Sequence, residues 1–257
     1  MVPVTVDGEQ VRLAVITYKP AGNGPFPTLI FHHGSTGRGT DPALFARPYS
    51  PKVTADWFVA RGWAVMLPAR RGRGGSEGRY DEGFDTNRSY GYTCETSFSL
   101  AGADRALRDI EAVTPLLLAL PFVDRSRVAV GGQSRGGILS VAWSGKHPEM
   151  RAVINFVGGW MGAACSTAST INRALFTRGA GYGKPSLWLY GDSDPYYPLS
   201  HSRSNFEAYQ AAGGKGTFND YKPTGVQNGH GISFNPALWS STMEAYLAQQ
   251  GLPARSN

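Results

Sequence analysis

The chain has 257 residues, 41% of them hydrophobic and 17% charged, with a formal charge of +6. That length fits one large α/β domain or at most two small ones; no composition shift marks a boundary, so a single domain over residues 1–257 is expected, and no fixed repeat marks a solenoid. No apolar run approaches the roughly 18 residues that cross a bilayer, since the longest candidate, Leu116 to Leu120, is bounded by Pro115 and Pro121; a soluble chain without a membrane span is expected.

The N-terminus lacks the charged, apolar and small-residue pattern of an export signal, and whether one was removed stays open, as does the compartment. Val11 to Tyr18 reads as an early strand with Val11, Leu13 and Val15 on one face. After a turn at Gly22 to Pro27, Thr28 to His32 reads as a buried strand, Ala55 to Ala60 as a helix and Trp63 to Leu67 as another buried strand. The long Gly/Arg/Ser/Tyr stretch from Arg70 to about Ser97 reads as a functional surface loop. Its start, Arg70-Arg71-Gly72-Arg73-Gly74-Gly75, looks like a fragment of an RGG segment. A single copy between a strand and a helix points to a tight loop, and no nucleic-acid partner is expected.

Leu100, Leu107, Ile110 and Leu117 recur at helical spacing, with Asp104 and Arg108 placed to pair on the outer face and Pro115 to kink or end the helix. Val128 to Val130 is a strand, with a helix behind it from Ile138 to Trp143. Ala152 to Val157 and Ser186 to Tyr190 are strands, Asn205 to Ala212 a helix, Thr217 to Tyr221 a last strand and Ala237 to Gln249 a last helix. The alternation implies a mostly parallel sheet covered on both faces. Cys94 and Cys165 fit no zinc or redox spacing and are either one disulfide or two separate buried thiols.

Gly132-Gln133-Ser134-Arg135-Gly136 matches G-x-S-x-G between a strand and a helix. In that context the glycines allow the sharp turn that exposes a nucleophilic serine. A hydroxyl needs a base. Of the five histidines, His32 and His33 precede Ser134, His147 lies near a helix C-terminus where it faces end carbonyls, and His201 opens a helix. His230, in a glycine loop after the last strand, is the expected base. Tyr190-Gly191-Asp192-Ser193-Asp194-Pro195 offers two acids to orient it, and Asp194 is favoured over Asp192. The order Ser, Asp, His is that of the α/β-hydrolase fold. Backbone N–H groups of Ser35, in His33-Gly34-Ser35-Thr36-Gly37, and of Arg135 are candidates for an oxyanion hole. Trp160, Tyr196 and Tyr197 follow strands and are candidates for lining a substrate pocket, or for packing. The Arg135 side chain is expected in a surface or structural ion pair before any contact with an acidic substrate. No H-E-x-x-H or phosphate-binding loop occurs, so neither metal nor cofactor is expected.

With these residues assembled, the chain resembles the dienelactone hydrolase family and its esterase relatives from about Thr28 to Trp239. The resemblance rests on His33-Gly34, the Gly132 to Gly136 elbow, Asp194, His230 and the segments Asn155 to Trp160 and Leu187 to Gly191. It implies a cofactor-free domain acting on a small ester or lactone. The dienelactone hydrolases proper carry a cysteine nucleophile where this chain has Ser134, which favours a general carboxylesterase. The Arg70 to Gly78 loop also resembles that of the prolyl oligopeptidase type of hydrolase. A peptidase or amidase with the same residues, and a non-catalytic binding domain on this fold, are the alternatives.

Overall fold

The computed structural model describes residues 1–223 and 228–254. Its centre is a seven-stranded sheet in the order β3-β5-β4-β6-β7-β8-β9. The strands are β3 (Val15–Tyr18), β4 (Phe26–His32), β5 (Ala64–Pro68), β6 (Val123–Gln133), β7 (Ala152–Phe156), β8 (Pro185–Gly191) and β9 (Lys215–Tyr221). Only β3 runs antiparallel, against β5. The central strands β4, β5, β7 and β8 are almost continuously buried, as strands covered on both faces must be.

Among the described residues six helices cover the sheet: α1 (Lys52–Val59), α2 (Thr96–Leu118), α3 (Arg135–Ser144), α4 (Ala168–Arg178), α5 (Leu199–Ala211) and α6 (Pro236–Gln249). Helices α2 to α5 pack in succession, while α1 packs with α6. On α2 the buried residues Ala103, Ala106, Ile110, Val113 and Leu117 follow helical spacing and form one inward stripe. Among the described residues no helix is long and apolar enough to cross a membrane.

Several elements differ from the sequence expectation. Val11 to Tyr18 is two strands rather than one. Strand β2 (Glu9–Leu13) pairs with β1 (Val2–Val6) in a separate hairpin, turned by Asp7 and Gly8 at φ 53° and 79°. That is the conformation in which Asp-Gly favours a hairpin turn. The break falls at Ala14, whose N–H donates to Ser76 Oγ at 2.8 Å and whose carbonyl accepts from the Ala69 N–H at 2.9 Å. Helix α4 lies where no element is expected, and α5 starts six residues before Asn205. Pro115 does not end α2, because it sits in the last turn, where the helix has only to Leu118 left to run. Asp104 and Arg108 do not pair with each other: Asp104 binds Arg178, and Arg108 binds Asp7 at 2.5 Å. His147 faces no helix-end carbonyl. Its ring nitrogens meet Glu111 and Glu149 at 2.8 and 2.9 Å, and it stacks on Trp143.

The first half of the segment after β5 is largely buried rather than a surface loop, whereas its second half is surface, with Thr86, Asn87, Ser89 and Tyr90 exposed and Tyr90 and Tyr92 lining a cleft. Arg70, Arg71, Arg73, Tyr80, Glu82 and Phe84 are all buried, so the RGG-like stretch presents no basic surface. Arg71 binds Asp109 at 2.6 Å and Asp7 at 2.7 Å, tying the segment to α2 and to the hairpin.

Cys94 and Cys165 form a disulfide across 71 positions of sequence, with Cα atoms 5.7 Å apart. It joins the segment before α2 to the one before α4. Closing so long a loop restricts the unfolded chain, and replacing both cysteines by serine is expected to lower the unfolding free energy by about 2–4 kcal/mol. Urea denaturation with and without a reductant checks this: reductant should shift the wild type toward the double variant and leave the variant unmoved.

Candidate active site

Strand β6 ends at Gln133 and α3 starts at Arg135, so Ser134 alone makes the turn. Its backbone stands at φ 58°, ψ −123°, a conformation costly for a non-glycine residue. Such a turn requires close approach on both sides. A Cβ at Gly132 would lie 2.4 Å from the Gly136 carbonyl carbon, and one at Gly136 would lie 2.0 Å from the His32 oxygen. Both glycines of the motif are therefore steric necessities. The serine side chain is left at the top of the sheet, over the N-terminus of α3.

His230 stands in a short 3-10 turn, Gly229–Phe234, whose first residue is capped by Asn228 accepting from the His230 N–H at 3.0 Å. Its carbonyl accepts from Gln133 Nε2 at 2.9 Å, and Gln133 is held in turn by the Tyr49 hydroxyl at 2.7 Å. Thus the residue before Ser134 also fixes the histidine loop. His230 Nδ1 lies 2.9 Å from Asp194 Oδ2, in a carboxylate with no exposed side-chain surface. The other oxygen, Oδ1, accepts from the N–H groups of Tyr196 and Tyr197 at 2.8 and 3.1 Å. Asp192 instead accepts from the neighbouring Ser193 N–H at 2.8 Å and makes no contact with the histidine. With Nδ1 facing the carboxylate, Nε2 is the other nitrogen of the ring. Ser134 and His230 line one cleft of about 560 Å³.

The loop after β4 flanks the serine. A Cβ on Gly34 would lie 3.0 Å from Ser134 Cβ and 3.5 Å from its Oγ, so the Gly34–Ser35 peptide runs directly beside that side chain, and Ser35 lines the cleft. The Gly34 carbonyl accepts from His33 Nδ1 at 2.8 Å and from Arg73 Nη1 at 3.2 Å. His33 Nε2 accepts from the Arg70 N–H at 3.1 Å, which leaves the hydrogen on Nδ1. Burial, with Arg70 and Arg73 nearby, holds this imidazole well below its ordinary pKa and so neutral.

The Arg135 side chain is wholly buried in a structural role. It lies between the rings of Tyr92 and Trp160, at 3.7 and 4.2 Å, and donates to the carbonyls of Glu82 and Trp160 at 2.8 and 3.1 Å. Trp160 lines the cleft but is 1% exposed, with its Nε1 on Ser99 Oγ, so it forms floor more than wall. Tyr197 is also buried, its hydroxyl on the Gly159 carbonyl, while Tyr196 is exposed at the rim and its ring meets that of His230 at 4.7 Å. The remaining lining includes Arg38, Tyr49, Tyr92 and Phe234, which sequence reading did not single out. Tyr92 stood in the tyrosine-rich stretch, the one signal that could have found it. Among the described residues no three His, Cys, Asp or Glu side chains converge as metal ligands.

Fold and site together define an α/β-hydrolase. Residues 7–184 match the X-Pro dipeptidyl-peptidase (S15 family), and the chain belongs to that family, whose members are serine hydrolases of the α/β-hydrolase clan. No curated protein matches the sequence. Among solved structures, the chain is similar to Est1E from Butyrivibrio proteoclasticus with ferulic acid bound, at 15% identity over 96% of this chain and 98% of that one, TM-score 0.64. It is similar to a putative dienelactone hydrolase from Klebsiella pneumoniae at 18% identity, covering 96% and 97%, TM-score 0.58. It is also similar to an acetyl xylan esterase from Paenibacillus sp. R4 at 16% identity, covering 96% and 82%, TM-score 0.66. The fold is that of the dienelactone-hydrolase-like proteins.

Beneath the site, Glu82 binds Arg70 at 2.5 Å and stands 3.6 Å from Arg135. Burial pushes its carboxyl up, but Arg70, Arg135 and Arg73 outweigh burial and hold it below its ordinary value of 4.5. A carboxyl depressed in the folded state stabilises above its unfolded pKa, and that contribution is lost as pH falls through the folded value. Glu82→Gln should therefore cost about 3–5 kcal/mol at neutral pH, as expected when one partner of a buried pair is removed. The gap to wild type should narrow as pH falls below 4.5. Urea unfolding of both proteins across that range measures it.

Proposed function

We propose that the chain, acting as one domain, is a carboxylic ester hydrolase working through an acyl-enzyme on Ser134. The observation that carries this is the contact of His230 Nδ1 with the buried Asp194 carboxylate, above the cleft that Ser134 enters from a strained turn. Ser134 Oγ attacks the ester carbonyl carbon and its proton passes to His230 Nε2, while the carbonyl π pair moves onto oxygen. The N–H groups of Ser35 and Arg135 receive that oxyanion. The pair returns, the C–O bond to the leaving group breaks, and the alkoxide takes the proton from His230. Water then repeats the sequence on the acyl-enzyme and frees the acid. Asp194 holds the imidazole with its hydrogen on Nδ1 and stabilises the imidazolium. No step calls on a cofactor.

A small ester or lactone is favoured over an X-Pro peptide by the charge of the cleft. A dipeptidyl-peptidase must receive a free N-terminal ammonium. Among the described residues no Asp or Glu side chain lines the cleft, whereas Arg38 does; the Arg135 guanidinium is buried against Trp160 and Glu82. An ammonium there would meet no carboxylate among the described lining residues. The tyrosines and Phe234 suit a neutral or aromatic acyl or alcohol group.

Ser134→Ala is expected to lower turnover of a p-nitrophenyl ester on the order of 10³-fold or more with the fold intact. Asp194→Asn should lose up to about 10⁴-fold, because an amide can hold the wrong tautomer. Asp192→Asn should stay within about tenfold of wild type, since its carboxylate accepts from the neighbouring Ser193 N–H rather than from His230. A steady-state assay of the three, with an X-Pro anilide run beside the ester, checks both the roles and the substrate class. An active Ser134→Ala, or an X-Pro anilide preferred to the ester, contradicts the proposal.

A further inference from the structure

The arginines of the 70–73 stretch have no part in the mechanism above, yet two of them grip the loop beside Ser134. Gly72 turns the chain at φ 72°, where a Cβ would strike the Tyr80 nitrogen at 2.1 Å, so only glycine fits. The turn sends Arg70 and Arg73 to the same loop. Arg70 Nη1 donates to the His33 carbonyl at 3.0 Å, and Arg73 Nη1 donates to the next carbonyl, that of Gly34, at 3.2 Å.

The Gly34 carbonyl and the Ser35 N–H belong to one planar peptide and point in opposite directions. Whatever fixes the carbonyl also aims the N–H. A cation on the carbonyl oxygen draws electron density across the amide and makes its N–H a stronger donor.

The charge balance is the second observation. Arg71 is matched by Asp109 and Asp7. Arg70, Arg73 and Arg135 are all buried around one carboxylate, Glu82, and Arg73 has no salt bridge of its own among the described residues. Its Nε is buried without a partner. Burying unmatched cations is costly to a fold and explicable where negative charge develops during reaction.

We propose that Arg73 is a positioning residue for acyl transfer, its guanidinium orienting and polarising the Gly34–Ser35 peptide so that Ser35 N–H meets the oxyanion as a strengthened donor. This rests on the reading of Ser134 as nucleophile and Ser35 as oxyanion donor.

The test compares two inhibitors on the full chain. An aryl trifluoromethyl ketone adds Ser134 and places a negative oxygen in the hole, whereas the matching methyl ketone binds largely unreacted. Loss of a whole oxyanion donor costs about 10²–10³ in kcat, so Arg73→Met, which weakens one, should lose about 10–10² with KM changed less than about threefold. The trifluoromethyl ketone should weaken by a similar factor and the methyl ketone hardly at all. Arg73→Lys, which keeps the charge, should recover most of the loss. If Arg73→Met does not fold, Arg73→Gln, which can still donate to the carbonyl without charge, is compared in the same way. A folded neutral variant with wild-type kcat, or equal weakening of both ketones, overturns the assignment. Wild-type protein that neither cleaves esters nor takes up the trifluoromethyl ketone fails the parent reading instead.

Discussion

The left-handed backbone at Ser134 is the constraint around which the rest is built. One residue reverses the chain between β6 and α3, and the helix can follow the strand so closely only because Gly132 and Gly136 carry no side chain. The same crowding brings the His32 carbonyl and the Gly34 peptide against the turn from the neighbouring strand. The strain at one φ angle is thus held by parallel pairing of β6 with β4 on one side and β7 on the other. It delivers a hydroxyl, an N–H at the start of α3 and a second peptide to one point.

Electrostatics then divides the surroundings into an anionic and a cationic half. Asp194, fed by two backbone N–H groups, lies behind His230 Nδ1. On the opposite flank, the buried arginines around Glu82 reach the carbonyls of the loop beside Ser134. In the mechanism we propose, charge separation during acyl transfer runs along that axis, toward groups already oriented before substrate arrives. Tyr80 and Tyr92 tie the Glu82 cluster to the loop beside Ser134. Tyr80 donates to Glu82 and pairs with the Tyr92 hydroxyl, which accepts from the Thr36 N–H at 3.2 Å. The Cys94–Cys165 crosslink closes the same wall two residues past Tyr92.

Much of this was legible in the sequence where the signal is local. The elbow declares itself because glycine spacing and flanking apolar runs lie within a dozen residues. The buried strands read clearly because parallel strands covered on both faces are continuously apolar. His230 stood out by its place after the last strand. Helix α4 was hidden because Ile171, Leu175 and Phe176 are scattered among Ser, Thr, Asn and Arg. Asp104 and Arg108 were misjudged because both find partners distant in sequence, at Arg178 and Asp7. Asp192 and Asp194 differ by the orientation of one turn, which no composition reports. The sequence left open whether Cys94 and Cys165 pair, because 71 positions separate them, and it gave no sign that Arg135, 53 positions on, would join Glu82.

The central claim is a covalent acyl-enzyme on Ser134, and trapping that intermediate tests it most directly. Protein quenched in acid during turnover of a slowly deacylating aryl ester should carry one added acyl mass, and fragmentation should place it on the peptide containing Ser134. Release of the first equivalent of phenol should run ahead of the steady state, the burst expected of a two-step acyl transfer. Turnover with no acyl mass at any stage, or with the mass on another residue, would contradict the account.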